Sequence, residues 1–215
     1  MLPFQDEPLT TLAQQNAPPV TQKLLICSAP RTMSTTFCAY LSAAGLAYPE
    51  EHFGTGRVNL VKTSGVVPHW SLPAYLDVLY NARSRDGLFA SKIQFRQFEM
   101  FLTNDTGQRL FHDAVVVKLC RSDVRAQFVS EATATTYDHW SDTTPTRTVA
   151  DDPQNTSLNI RSSLRRCLEN EAGWHAFFGL SGIVPMLVTD QMMIEDMAGV
   201  IRRIAQRLGR PVDED

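Results

Sequence analysis

A short apolar run, Lys23-Leu24-Leu25-Ile26-Cys27, leads without a break into Ser28-Ala29-Pro30-Arg31-Thr32-Met33-Ser34-Thr35-Thr36 and then into helix-periodic sequence from Thr35 to Ala44. Such a run suits a strand buried on both faces, and Phe37, Leu41 and Ala44 fall on one side of the helix that follows. The arrangement recurs at Val115 to Leu119, which enters Arg121 and then Ser122 to Ala134, with Val124, Phe128 and Val129 at helical spacing. Strands that return through helices run parallel. The expected fold class is therefore α/β, a central parallel sheet flanked by helices.

Leu88 to Phe95 and Val184 to Thr189 read as further strands, and Pro73 to Ala82 and Glu195 to Leu208 as helices. Asn155 to Phe178 reads as a long helix with Leu158, Leu164, Leu168 and Trp174 toward the core, and Gln97 to Leu102 as a polar helix. Tyr48 to Phe53 breaks the pattern as a loop. Thr133 to Thr148, rich in Thr and Asp, reads as a mobile surface loop and candidate lid. Met1 to Gln22, polar and punctuated by proline, is expected to be an N-terminal arm before a single domain over 23–215.

With 215 residues, 43% of them apolar, the chain can bury one substantial core. Its formal net charge of −3 attracts neither nucleic acid nor an anionic membrane, so any phosphate must be held by a local constellation. No nucleic-acid partner is expected. No apolar run approaches the ~20 residues that span a bilayer, and Met1 to Gln22 lacks the pattern of a secretion signal, so the expected location is cytoplasmic. Cys27, Cys38, Cys120 and Cys167 have no metal-ligand spacing and read as small core residues.

Ser28 to Thr36 is the first candidate site, because backbone N–H groups at a strand–helix turn attract phosphate and Arg31 adds charge. A P-loop kinase would place G-x-x-x-x-G-K-[ST] here, and neither its glycines nor its lysine is present. Arg121 and Ser130 form the second: the arginine ends a strand, and the serine lies two turns into the next helix. Taken alone, the first segment is explained equally well by helix capping and a solvated Arg31, and an arginine after a strand, like Arg121, is more often a capping or ion-pairing residue.

Together the segments resemble the sulfotransferases that use a phosphoadenosine donor, most closely the bacterial trehalose 2-sulfotransferase family. The resemblance rests on Ser28 to Thr35, Pro49-Glu50-Glu51-His52-Phe53, Lys92-Ile93-Gln94-Phe95-Arg96-Gln97, Arg121 through Ser130, Trp140, and Glu171-Ala172-Gly173-Trp174, in that order. It implies a sulfotransferase fold related to the P-loop NTPases and transfer from 3′-phosphoadenosine 5′-phosphosulfate, a cosubstrate, to a hydroxyl of a small polar or sugar-like acceptor, without a metal. It assigns the donor's 5′-phosphosulfate to Arg31, Thr32, Met33, Ser34 and Thr35, and its 3′-phosphate to Arg121 and Ser130. Glu51 becomes the general base, with His52 its rival on chemical grounds, and Lys92 faces the transferring group. A homodimer is implied as well.

The sequence departs from the family at Met33, where glycine is usual, and at Glu131-Ala132-Thr133-Ala134, where an aromatic residue and an arginine are usual. These departures keep open a non-catalytic module that binds phosphoadenosine nucleotides; a P-loop-type kinase is a third reading, against which the missing P-loop lysine argues.

Overall fold

The structure, a computed structural model, describes residues 18–102, 105–137 and 153–212. Strand β1 (Gln22–Ser28) lies at the centre of a five-stranded sheet of order β2-β3-β1-β4-β5. Strands β3 (Leu88–Gln94) and β4 (Ala114–Cys120) flank β1 in parallel. Outside them lie the parallel β5 (Met186–Thr189) and the short antiparallel β2 (Ser84–Arg85).

The apolar run of β1 is buried on both faces, as its composition requires. Leu24 and Ile26 pack with α1 (Ser34–Ala43), through Phe37 and Leu41, and with α8 (Asp190–Leu208), through Val200, Ile201 and Ile204. Leu25 and Cys27 pack on the opposite face against α2 (Thr55–Ser64), α3 (Leu72–Arg83) and a set of aromatic side chains around Trp174. The chain runs from β1 to β3 on one side and then returns to β4 on the other. The carboxyl end of β1 is thus a topological switch point, where open α/β sheets place their ligands.

Several elements differ from the sequence-based expectation. The segment over 97–102 is a short helix, α4 (Phe95–Phe98), followed by a 3₁₀ turn (Glu99–Phe101); it is not polar, because Phe98 and Phe101 are buried. Helix α5 (Asp105–Phe111) and helix α2 lie in stretches to which the sequence pattern assigns no element. Helix α6 (Val124–Tyr137) runs through the first part of the supposed Thr133 to Thr148 loop. The rest of that loop, with Trp140, lies outside the described residues, as does most of the supposed arm. Helix α8 starts at Asp190 and is interrupted at Asp196, whose carboxylate accepts from the Gly199 N–H at 2.8 Å and re-caps the chain.

Helix α7 (Pro153–Ser181) has the expected position, but its sides are not those expected. Trp174 is buried as expected, but Leu164 and Leu168 are 41% and 54% exposed, and Ser163, Cys167 and Asn170 are buried in their place; the side chain of Leu158 lies outside the described residues. The same inversion occurs on α6, where Val124 and Val129 face outward and Gln127, Glu131 and Ala134 are buried. These helices meet through a polar seam: Arg166 Nη1 lies 2.7 Å from Glu131 Oε1, and Ser163 donates to Thr135.

Candidate functional site

The turn between β1 and α1 has two left-handed residues that are not glycine, Arg31 and Met33, each at φ 60°. Such a backbone persists only where its surroundings hold it. Here the Pro30 carbonyl accepts from Gln127 Nε2 at 2.8 Å, the Arg31 carbonyl from Arg121 Nη1 at 2.9 Å, and the Ser28 carbonyl from the Trp174 indole at 3.0 Å. Met33 is the N-cap of α1, and no side chain caps the first turn. The N–H groups and dipole at that end are therefore suited to an anion. Thr32 is fully buried and donates its hydroxyl to the Ala29 carbonyl, while Ser34 is half-buried and Thr35 exposed.

On the other side of β1, the Pro49 loop is tied to β3. Glu50 bridges to Ser91, and its carbonyl accepts from the Lys92 N–H at 2.9 Å and from the Ser91 hydroxyl. That anchoring places Glu51 over Lys92, with Nζ 2.8 Å from Oε2. Gln97 Nε2 holds the other carboxylate oxygen, and Gln97 Oε1 in turn accepts from the Gln94 N–H, fixing the amide through the cap of α4. Burial opposes ionisation of Glu51, but the charge of Lys92, hydrogen bonds from Lys92 and Gln97, and the more distant charge of Arg57 outweigh it. The Glu51 carboxyl is held below the usual carboxylate range.

His52 points the other way. It is fully buried and stacks on Phe89, with ring centroids 5.6 Å apart. Burial first, and then the charges of Arg57 and Arg83, hold its imidazole well below its ordinary value. His52 thus packs in the aromatic core and does not line the cleft described below. Glu50 is buried and paired to Arg57 at 2.5 Å.

A cleft of about 180 Å³ is lined by Thr35, Cys38, Pro49, Glu50, Glu51, Arg57 and Lys92. It joins the first turn of α1 to the Glu51–Lys92 pair. Cys38 beside it is inert, because burial pushes its thiol up to about 12.

Arg121 does not line this cleft; it is bound to the backbone of the first turn from the far side. Its Nε lies 3.7 Å from Asp190 Oδ2, and Asp190 accepts from Ser122 Oγ at 2.6 Å and Ser122 N at 2.9 Å. These hydrogen bonds, led by the Ser122 hydroxyl, hold the Asp190 carboxyl low against the opposing effect of burial, with Arg121 adding to them. Ser130 receives the Arg31 Nε–H at 2.8 Å.

The expected site residues thus fall into two groups around one turn. Glu51, Lys92 and Thr35 lie in the cleft, and Arg31, Arg121 and Ser130 lie beside α6. Sequence reasoning missed Gln97, Arg57 and the Glu131–Arg166 pair as members of these surroundings; the i, i+3 spacing of Gln94 and Gln97 was the one local signal, a reciprocal cap. Among the described residues no group of three or more His, Cys, Asp or Glu could hold a metal ion, and no helix is long and apolar enough to cross a membrane.

An uncapped helix end at the sheet's switch point, in one cleft with a carboxylate–ammonium pair, is suited to an anionic ligand in an α/β protein. The Stf0 sulphotransferase family model matches residues 23–214, nearly the whole chain, and the chain belongs to that family. It is a sulfotransferase, using a sulfuryl donor and a small-molecule acceptor. No curated protein matches it.

Proposed function

We propose that the protein transfers the sulfuryl group of 3′-phosphoadenosine 5′-phosphosulfate to a hydroxyl of a small, polar, sugar-like acceptor, with Glu51 as general base and Lys92 beside the transferring group. The observation that carries this reading is the 2.8 Å Lys92–Glu51 pair, set in one cleft with Thr35 of the α1 first turn.

In the reaction, the acceptor oxygen bonds to sulfur, the bond from sulfur to the bridging phosphate oxygen breaks, and the acceptor's proton passes to Glu51. The electron pair of the broken bond stays on the leaving bisphosphate. The α1 N–H groups and the Lys92 ammonium are suited to stabilise that charge as it develops. In the resting protein, Lys92 makes Glu51 a weak base. The donor's anionic sulfuryl group, brought beside Lys92, competes for its ammonium, and as the ion pair loosens the proton affinity of Glu51 rises. Donor binding would prime the base by this exchange.

Turnover with a radiolabelled sulfate donor across a panel of sugars and polyols tests the reading. Glu51→Gln should lower kcat by roughly 10²-fold or more. It should leave adenosine 3′,5′-bisphosphate binding within a few-fold. Normal turnover by this variant would remove Glu51 from the role. A wild type that binds the bisphosphate but transfers to no hydroxyl would favour a nucleotide-sensing module instead.

A further inference from the structure

The cleft beside Glu51 holds a charged pair that the proposed transfer step does not use. Arg57, from the first turn of α2, lines the cleft with its side chain 29% exposed and reaches back to Glu50, whose side chain is 6% exposed. Arg57 Nη1 lies 2.5 Å from Glu50 Oε2 and 3.4 Å from His52 Nδ1, and its Nε and Nη2 have no partner among the described residues. Resting on the sulfuryl transfer proposed above, we propose that Arg57 binds the acceptor and that Glu50, by cancelling its charge, restricts the cleft to neutral polyols.

Arg57 stands near the base because of how α2 begins. The N-cap is Gly54, where a Cβ would lie 3.7 Å from Glu51 Oε1, so the backbone entering α2 runs alongside that carboxylate. Arg57 follows three residues later, within electrostatic reach of Glu51. The first turn carries no side-chain cap and no acidic residue, so the guanidinium is answered from outside the helix, by Glu50.

Glu50 is committed to that pairing. Its carbonyl is tied to β3 through the Lys92 N–H and the Ser91 hydroxyl, and its Oε1 is buried without a hydrogen-bond partner among the described residues. A buried ion pair adds little net stability over apolar side chains of the same size, because desolvation offsets the attraction. This pair instead gives the cleft a planar fork of N–H donors without net charge, which suits two neighbouring hydroxyl oxygens.

The charges of the cleft act against an acidic acceptor. Arg57 and Lys92 are matched by Glu50 and Glu51, and the donor's sulfuryl group takes up Lys92 as it binds. A carboxylate on the acceptor would then meet Glu51 with both cations of the cleft already engaged. A neutral hydroxyl can accept from Arg57 while the hydroxyl next to it is presented to Glu51.

Saturation-transfer NMR titrations of the complex with adenosine 3′,5′-bisphosphate test the selection without requiring turnover. The probes are the methyl glycosides of glucose, galactose and mannose and the matching glycosiduronates. At least one neutral glycoside should bind the wild type more tightly than its uronate. Arg57→Gln should weaken that glycoside by roughly tenfold, as for loss of a hydrogen bond from a charged group. Glu50→Gln keeps the shape and leaves Arg57 uncompensated, so the preference should move toward the uronate by roughly tenfold or more. The Glu50→Gln/Arg57→Gln double variant should lose that move, because the cation is gone. Bisphosphate affinity within about threefold of wild type certifies the fold of each variant. Arg57→Lys, which keeps the charge and loses the fork, should also weaken the glycoside and serves if the Gln variant does not fold. Equal weakening of glycoside and uronate by Glu50→Gln would overturn the proposal and make the pair a structural tie between the loop and α2. A wild type that prefers uronates would overturn it as well. Glycoside binding in this pattern with no transfer from labelled donor would support the selection and defeat the proposed activity. Transfer to other alcohols with no glycoside bound would do the reverse.

Discussion

Glu51 and His52 are adjacent in sequence and opposite in setting, because the Glu50–Ser91 bridge gives this loop a strand-like alternation: Glu51 turns to the cleft and His52 to the aromatic core. The carboxyl of Glu51 is depressed in the folded protein. It therefore contributes stability above its unfolded value, and loses that contribution as pH falls through the lower, folded value. Lys92→Met removes the largest force that lowers it and leaves burial, which raises it. A carboxyl ¹³C NMR titration of Glu51 should show its midpoint moving to higher pH in Lys92→Met, with Gln97 still bound. An unchanged midpoint would show that Lys92 does not tune the base. The order of the family motifs singled out Glu51 and Lys92 in the sequence. Gln97 stands in the same motif as Lys92, but its bond to Glu51 was not legible, because it is a side-chain contact across 46 positions, which local spacing does not encode.

The elements behind the turn set its shape as firmly as the residues in it. On α7, Gly173 lies where a Cβ would overlap the Phe95 ring, and Phe95 stands edge-on to Trp174 at 5.4 Å. Trp174 carries the hydrogen bond to the Ser28 carbonyl. Gly173→Ala should therefore cost about 1–3 kcal/mol through overpacking. That corresponds to a Tm lower by roughly 5 °C in a chain of this size. Bisphosphate binding should weaken with it, since the displaced indole bears on the turn. Wild-type stability would mean that α7 shifts freely against α4. The positions of α1, β4 and α7 were legible from apolar periodicity, but the inward faces of α6 and α7 were not. Periodicity finds the apolar stripe and assumes that it is buried. Here Leu164 and Leu168 are the exposed stripe, while Glu131, Arg166, Ser163 and Thr135 form the seam, held by ion pairing and hydrogen bonds that a hydrophobic pattern cannot register.

At the scale of the whole molecule, apolar clusters on the two faces of one sheet leave the carboxyl ends of β1, β3 and β4 as the place where polar groups from both sides meet. One side brings Lys92 and the Glu51 loop, and the other brings Arg121 and Ser130. The net charge of −3 gives no general attraction for an anion, so affinity has to come from this convergence. A nucleotide with phosphates at both its 3′ and 5′ positions would be gripped from both sides and should stabilise the native state more than one that engages a single side. A thermal-shift series with adenosine 3′,5′-bisphosphate, adenosine 5′-phosphate, ATP and NAD should rank the bisphosphate first. At a concentration 100 times its Kd it adds about 2.7 kcal/mol. Arg121→Ala should reduce that shift to the size seen with adenosine 5′-phosphate, because the 3′-phosphate loses its charge-assisted partner. It should leave the monophosphate shift unchanged, since Arg121 lies outside the cleft that joins Thr35 to Lys92. An equal loss for both nucleotides would show that Arg121 acts by holding the Arg31 carbonyl, and so the turn as a whole, and not by reading the 3′ position.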